Sequence, residues 1–131
     1  MAKASRGKTK THGFRIKRIY EAPDAADGTR VLVDRLWPRG ITKEKAALDL
    51  WLKDISPSDG LRKRVHGDPD GWRVFLVDYA AELAREPAAS AAQQLREMAA
   101  KGPVTLLYAA RDETRNNAVA LRDWLEKHKA E

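Results

Sequence analysis

Two short runs of apolar residues, Val31-Leu32-Val33 and the segment from Val104 to Ala109 (V-T-L-L-Y-A), most constrain what this chain can fold into. Each is nearly continuous in its hydrophobicity, where a half-exposed strand would alternate. That is the pattern of strands buried on both faces, and such strands belong to parallel sheets covered by helices. The first run extends the strand prediction over Arg30 to Leu36, with charge entering at Asp34 and Arg35. Trp37, Pro38, Arg39 and Gly40 then take the chain out of the sheet, because proline has no N–H to donate to a ladder. An earlier strand is predicted from Phe14 to Tyr20, where polar residues interrupt Phe14, Ile16 and Ile19.

Between the strands the sequence is helical in its periodicity. Thr42 suits the N-cap of a short helix reaching Leu48, and Leu50, Trp51, Leu52 and Ile55 follow as a segment that fits a strand or a helix end equally well. Ser56, Pro57 and Asp59 supply the N-cap, first-turn proline and early acid of a helix that carries Arg62, Lys63 and Arg64 and stops at Gly67. Asp68 and Pro69 repeat the start signal for a longer helix. Its Trp72, Phe75, Leu76, Tyr79, Ala80 and Leu83 recur at helical spacing and predict a core face. After Pro87, a small-residue face of Ala88, Ala91, Ala92, Leu95, Met98 and Ala99 predicts close packing, ended by Gly102 and Pro103. Leu121, Trp124 and Leu125 define a last helix. The predicted fold class is therefore α/β: a small layered sandwich with a mostly parallel sheet of about four strands flanked by helices.

A chain of 131 residues supports one ordinary core, so residues 13–131 are read as one α/β domain behind a basic tail at 1–12. The net charge of +6 reflects 25 basic and 19 acidic residues. Lys3, Arg6, Lys8 and Lys10 fall in the first 13 residues with no acid among them, and setting those four aside leaves 21 against 19, or +2. The excess is mostly a solvated tail. No apolar stretch approaches the about 20 residues of a membrane span, and Met1 to His12 lacks the apolar centre of a secretory signal. No membrane partner is expected, and the expected location is cytoplasmic. The absence of cysteine excludes disulfides, thiolate metal sites and thiol nucleophiles. His12, His66 and His128 are far apart, so no metal site is expected, and His66 before Gly67 suits a helix end. With no Ser-His-Asp order, phosphate loop or dinucleotide fingerprint, no cofactor is called for.

In an open α/β sheet, ligands favour the crevice beyond the carboxyl ends of the strands. Two segments are predicted to lie there. The first, Asp34 to Gly40, places Arg35, Trp37 and Arg39 close together, two guanidinium groups and an indole of the kind that recognise anions or bases. The competing reading is structural: Asp34 pairs with Arg35, and Trp37 fills the core. The second segment, Arg111 to Asn117, precedes the last helix, where Arg111 is placed to clamp a phosphate or carboxylate. Its plainer reading is that Asp112 or Thr114 caps the helix while Asn116 ties the loop.

The strings L-V-D-R-L-W-P-R-G-I (Leu32 to Ile41), L-R-K and H-G-D-P between Leu61 and Pro69, and V-T-L-L-Y-A-A-R-D (Val104 to Asp112) together resemble the YeaO-like family of bacterial proteins, domain of unknown function 488. The resemblance spans roughly Ile16 to Trp124. It implies a small cytosolic α/β domain and brings no established substrate, cofactor or catalytic residue. Longer relatives carry a cysteine and histidine loop after the last strand. Here Tyr108 to Asn117 has no cysteine, so thiol or metal chemistry at that place is not expected. Asp34, Arg35, Trp37, Arg39, Asp112 and Asn116 match the pattern of the short members; Arg115 does not carry over. Together with Arg111, these six are the candidate ligand-binding residues.

Two functions follow from the sequence. The first is a small anionic ligand, phosphorylated or carboxylated, held at the strand ends by a binding module or an enzyme. The second is a nucleic-acid-binding or regulatory protein that uses the tail, Arg62 to Arg64 and the other surface arginines. A homodimer or adaptor would need exposed apolar surface.

Overall fold

The computed structural model describes residues 13–65 and 67–128. The tail predicted at 1–12 and the helix-end role read for His66 lie outside them. Four strands form one sheet: β1 (Phe14–Arg18), β2 (Thr29–Leu32), β3 (Leu50–Trp51) and β4 (Val104–Tyr108). The spatial order is β1-β4-β2-β3 and every pairing is parallel. The two most apolar runs thus become the two central strands, as burial on both faces requires. The fold is an α/β sandwich with an all-parallel sheet.

Alternation along β2 and β4 separates two cores. Val31, Val33, Val104, Leu106 and Tyr108 face α3 (Gly71–Leu83), α4 (Ala88–Lys101) and α5 (Asn117–Lys127), while Leu32 and Leu107 face Ile19, Ala46, Trp37 and Trp51 on the other side. The second side is covered by the loop after β2 and by the single turn α1 (Lys43–Ala46), which Thr42 caps as predicted by accepting from Lys45 N. The small face of α4 is buried at Ala88, Ala91, Ala92, Leu95 and Ala99, in agreement with its spacing.

Several boundaries differ from expectation, each for a local reason. The strand predicted to Tyr20 ends at Arg18, although Ile19 N still donates to Tyr108 O at 2.8 Å before the chain turns. The strand predicted to Leu36 ends at Leu32, with one further bond from Val33 N to Leu107 O. The ambiguous segment resolves into β3 and a 3-10 turn, Lys53–Ile55. Ser56 is not the predicted N-cap, because its hydroxyl donates back to Lys53 O at 2.6 Å. Ser58 caps α2 (Asp59–Val65) instead: its Oγ accepts from Leu61 N, and Glu82 accepts from both its N–H and its hydroxyl. Asp68 accepts from Asp70 N in a turn, and α3 starts at Gly71, two residues later than the Asp68–Pro69 signal places it. The α3 core stripe is narrower than predicted: Phe75, Tyr79 and Leu83 are buried, Trp72 and Ala80 half-buried, and Leu76 is 37% exposed. No helix among the described residues is long and apolar enough to cross a membrane.

The amino ends of the strands are fixed by a buried ion pair. Asp27 accepts from Arg30 Nη1 at 2.6 Å and from Lys17 Nζ at 3.1 Å, and from Asp24 N at 3.0 Å. Arg30 spends its remaining donors on Ala46 O and Ala47 O at the end of α1. Beside it, Gly28 at φ 65° lies so close to β4 that a Cβ would stand 2.2 Å from Pro103 O, so only glycine admits this approach. Burial works against the Asp27 charge, but the Asp24 N–H and the two cations outweigh it and hold the carboxyl below its ordinary value. A depressed folded pKa gives stability that is present above the unfolded value of 3.8 and is lost as pH falls through the folded one. Asp27→Asn leaves Arg30 buried without its counter-charge and is expected to lower unfolding stability by about 3 kcal/mol at neutral pH. In urea titrations the deficit should shrink as pH drops below about 4; a constant deficit would mean that the charge is not what matters.

Candidate functional site

Because all four strands run the same way, the segments leaving β2 and β4 emerge side by side at one edge, and a cleft of about 900 Å³ opens there. Asp34 to Arg39 form part of its lining, Ala109 to Asp112 with Arg115, Asn116 and Asn117 another, and the α2–α3 pair contributes Arg62, Val65, Trp72 and Phe75. All seven candidate residues are thus brought together around one cavity.

Their roles divide sharply. Asp34 is an architectural tie. Its Oδ2 accepts from Ala109 N at 2.9 Å and its Oδ1 from Asn117 Nδ2 at 3.1 Å, while its backbone carbonyl accepts from the Trp51 indole at 2.8 Å. The Asp34–Arg35 pair of the competing structural reading does not form. Arg35 faces Asp59 instead, at 3.7 Å, and Asp59 lies equally far from Arg62. The Arg35 Nε atom is buried with no hydrogen-bond partner. Trp37 lines the cleft but is committed to the fold: its indole N–H donates to Ile41 O at 2.9 Å, and its ring meets Trp51 edge-on at 5.5 Å.

In the second segment the predicted capping assignment changes. Asn116, buried, caps α5 by accepting from Val119 N, and its amide donates to Asp112 O, so it ties the loop as well. Asp112 closes the preceding turn, its Oδ1 accepting from Thr114 N, Thr114 Oγ1 and Arg115 N. The Arg115 and Thr114 N–H groups hold this exposed carboxyl below its ordinary value. Thr114 does not cap.

Five arginines therefore border the cavity: Arg35, Arg39, Arg62, Arg111 and Arg115. Among the described residues, Arg39, Arg111 and Arg115 take part in no ion pair. Arg39 is anchored through its backbone, whose carbonyl accepts from Tyr20 Oη at 2.7 Å, which leaves the exposed guanidinium free. Sequence reasoning missed Arg62, Arg115, Trp72 and Asn117. A basic run on a helix looks like a solvated face, and Trp72 sits on what reads as a core stripe. Only the approach of α2 and α3 to the strand ends gives them a shared cavity. Among the described residues no group of three or more metal-ligating side chains assembles.

The fold and site together define a small parallel α/β protein with an arginine-bordered cleft at the carboxyl ends of its central strands. The chain belongs to the domain of unknown function 488 family, whose model for the inactive DUF488-N3 subclade matches residues 13–131. It is 48% identical over 112 residues to the uncharacterized protein YeaO of Escherichia coli K12, covering 86% of this chain and 96% of that one. It is also 40% identical over 111 residues to the uncharacterized proteins Rv3073c of Mycobacterium tuberculosis and Mb3100c of Mycobacterium bovis, covering 85% of this chain and 92% of each relative. No solved structure gives a significant match.

Burial pushes the Asp34 carboxyl above its ordinary value, against the hydrogen bonds from Asn117 and Ala109 and the charge of Arg62. A raised folded pKa gives stability that is complete below the unfolded value of 3.8 and is lost as pH rises through the folded one. Asp34→Asn turns one carboxylate oxygen into an amide donor facing another donor, and is expected to cost about 1–3 kcal/mol. The cost should be larger near pH 4 than at pH 7, measured as the difference in urea unfolding free energy. The opposite trend would show that Asp34 is not held in a desolvated site.

Proposed function

We propose that this cleft binds a small anionic ligand, phosphorylated or carboxylated, and holds it without turning it over. The observation that carries the reading is the convergence of five arginines on one cavity, three of them without an acidic partner among the described residues. Guanidinium groups recognise planar oxyanions through paired N–H donors, and a cleft with low-dielectric walls strengthens that attraction. The acids in the lining offset it only in part: Asp34, Asp68 and Asp112 stand against five arginines, and each of the three is tied by hydrogen bonds within the fold.

The description of the matching subclade as inactive supports binding without catalysis. The nucleic-acid reading draws on residues 1–12, outside the described part, together with Arg62 to Arg64 and the other surface arginines, and competes as the second proposal.

A thermal-shift screen of pyrophosphate, citrate, nucleotides and sugar phosphates at low salt tests the reading. At least one anion should raise Tm, with the shift fading as ionic strength rises. Arg39→Ala and Arg111→Ala, both at exposed side chains, are each expected to weaken binding by about 1.5–3 kcal/mol without altering the Tm of the free protein. Ligand-induced shifts that survive both substitutions would remove the basis for the proposal.

A further inference from the structure

The cleft is much larger than an oxyanion needs. Its volume of about 900 Å³ is that of a site for a whole small molecule. Its lining also holds an apolar wall: Val65 and Trp72 are half-buried and Pro57 and Phe75 buried, while Leu36 on the loop after β2 is 68% exposed. The packing of the fold does not account for Leu36, which sits between Arg35 and Trp37 and contributes to neither core.

The aromatic part of the wall is packed back into the core. Trp72 stacks on Phe75 with ring centroids 5.7 Å apart and planes 15° apart, and Phe75 packs on Tyr79 at 5.3 Å. Tyr79 is buried, and its hydroxyl donates to Ile55 O at 2.5 Å. An aromatic ladder along α3 therefore runs from the core to the cleft, with Trp72 at its open end. Preorganised aromatic surface of this kind binds flat apolar groups at little entropic cost, because its side chains are already ordered.

Resting on the anion-binding reading above, we propose that the cleft carries an apolar subsite formed by Trp72, Val65 and Leu36. Its ligand is then a small molecule in which a phosphate or carboxylate is joined to an aromatic body. The arginines take the anionic group, and the ring lies against Trp72 with Leu36 covering it. A ligand with a hydroxylated body of similar size would leave the apolar wall wet and its own hydroxyls unpaired.

Isothermal titration calorimetry with inorganic phosphate, glucose 6-phosphate and 1-naphthyl phosphate at low salt tests this on the full chain. The expected result is that 1-naphthyl phosphate binds at least about tenfold more tightly than either other probe, from the apolar area it buries. Trp72→Ala and Leu36→Ser should remove most of that advantage and leave inorganic phosphate binding unchanged. Leu36→Ser is the safer variant for folding, since the side chain is already in water. Arg39→Ala should weaken all three probes. Equal binding of the three probes, or an advantage untouched by both wall substitutions, overturns the apolar subsite while anion binding stands. If no probe binds, or binding survives both Arg39→Ala and Arg111→Ala unchanged, the anion-binding reading fails and this inference fails with it.

Discussion

The carboxylate of Asp34 joins what the backbone ladder cannot. Beyond Leu32 the sheet is ending, and the chain after β2 and the chain after β4 must separate to build two different loops. By accepting from Ala109 N and from the Asn117 side chain, Asp34 pins both loops and the first turn of α5 to one point. Asn117 adds a second bond, to Val33 O at 3.0 Å. The cleft exists because these segments are held together at their roots and diverge above them. Desolvating a carboxylate is costly, and here two donors, Ala109 N and the Asn117 amide, and the field of Arg62 offset that cost in part. The opposite end of the sheet repeats the logic with a different pair, Asp27 and Arg30, so an acid tied by hydrogen bonds stands at each end of β2, buried at Asp27 and half-buried at Asp34.

Much of the fold was legible because apolar continuity is a strong signal. Val31 to Val33 and Val104 to Tyr108 could only be central strands, and their neighbours had to be helices. Capping was legible at Thr42, where the competing candidates were few. It failed at Ser56 and at Asp112, where two or three cap-competent residues lie close together and tertiary contacts choose among them. Glu82, 24 positions away, holds Ser58, and no local rule contains that contact. The width of the α3 stripe failed for a related reason. Periodicity gives the direction of a face but not how much of it a neighbour will cover, and Leu76 and Val77 stay exposed.

The site was legible in its location and less so in its parts. The rule that ligands gather beyond the strand ends found both loops, because it follows from topology. It did not separate the residues that build the cleft from those that border it. Asp34, Trp37 and Asn116 are spent on the structure, as their hydrogen bonds show. Arg39 and Arg111 keep their guanidinium groups at the surface. The contributions of α2 and α3 were invisible because Arg62 and Trp72 are read locally as a solvated charge and a core aromatic. Their meaning comes from a helix pair folding over the sheet edge.

This division bears on how the cleft responds to a ligand. Several like charges around one cavity repel one another, and the loops that carry them would spread if nothing opposed it. Asp34 and Asn117 supply that opposition from below, and Asp59 does so at the side, 3.7 Å from both Arg35 and Arg62. An anion entering the cleft acts in the same sense as these internal tethers. On the proposed reading, binding of an anion gains from its own contacts and from the repulsion it relieves among the arginines. On that reading the strand ends place the arginine-bearing loops before an anion arrives, through the bonds of Asp34 to Ala109 and Asn117.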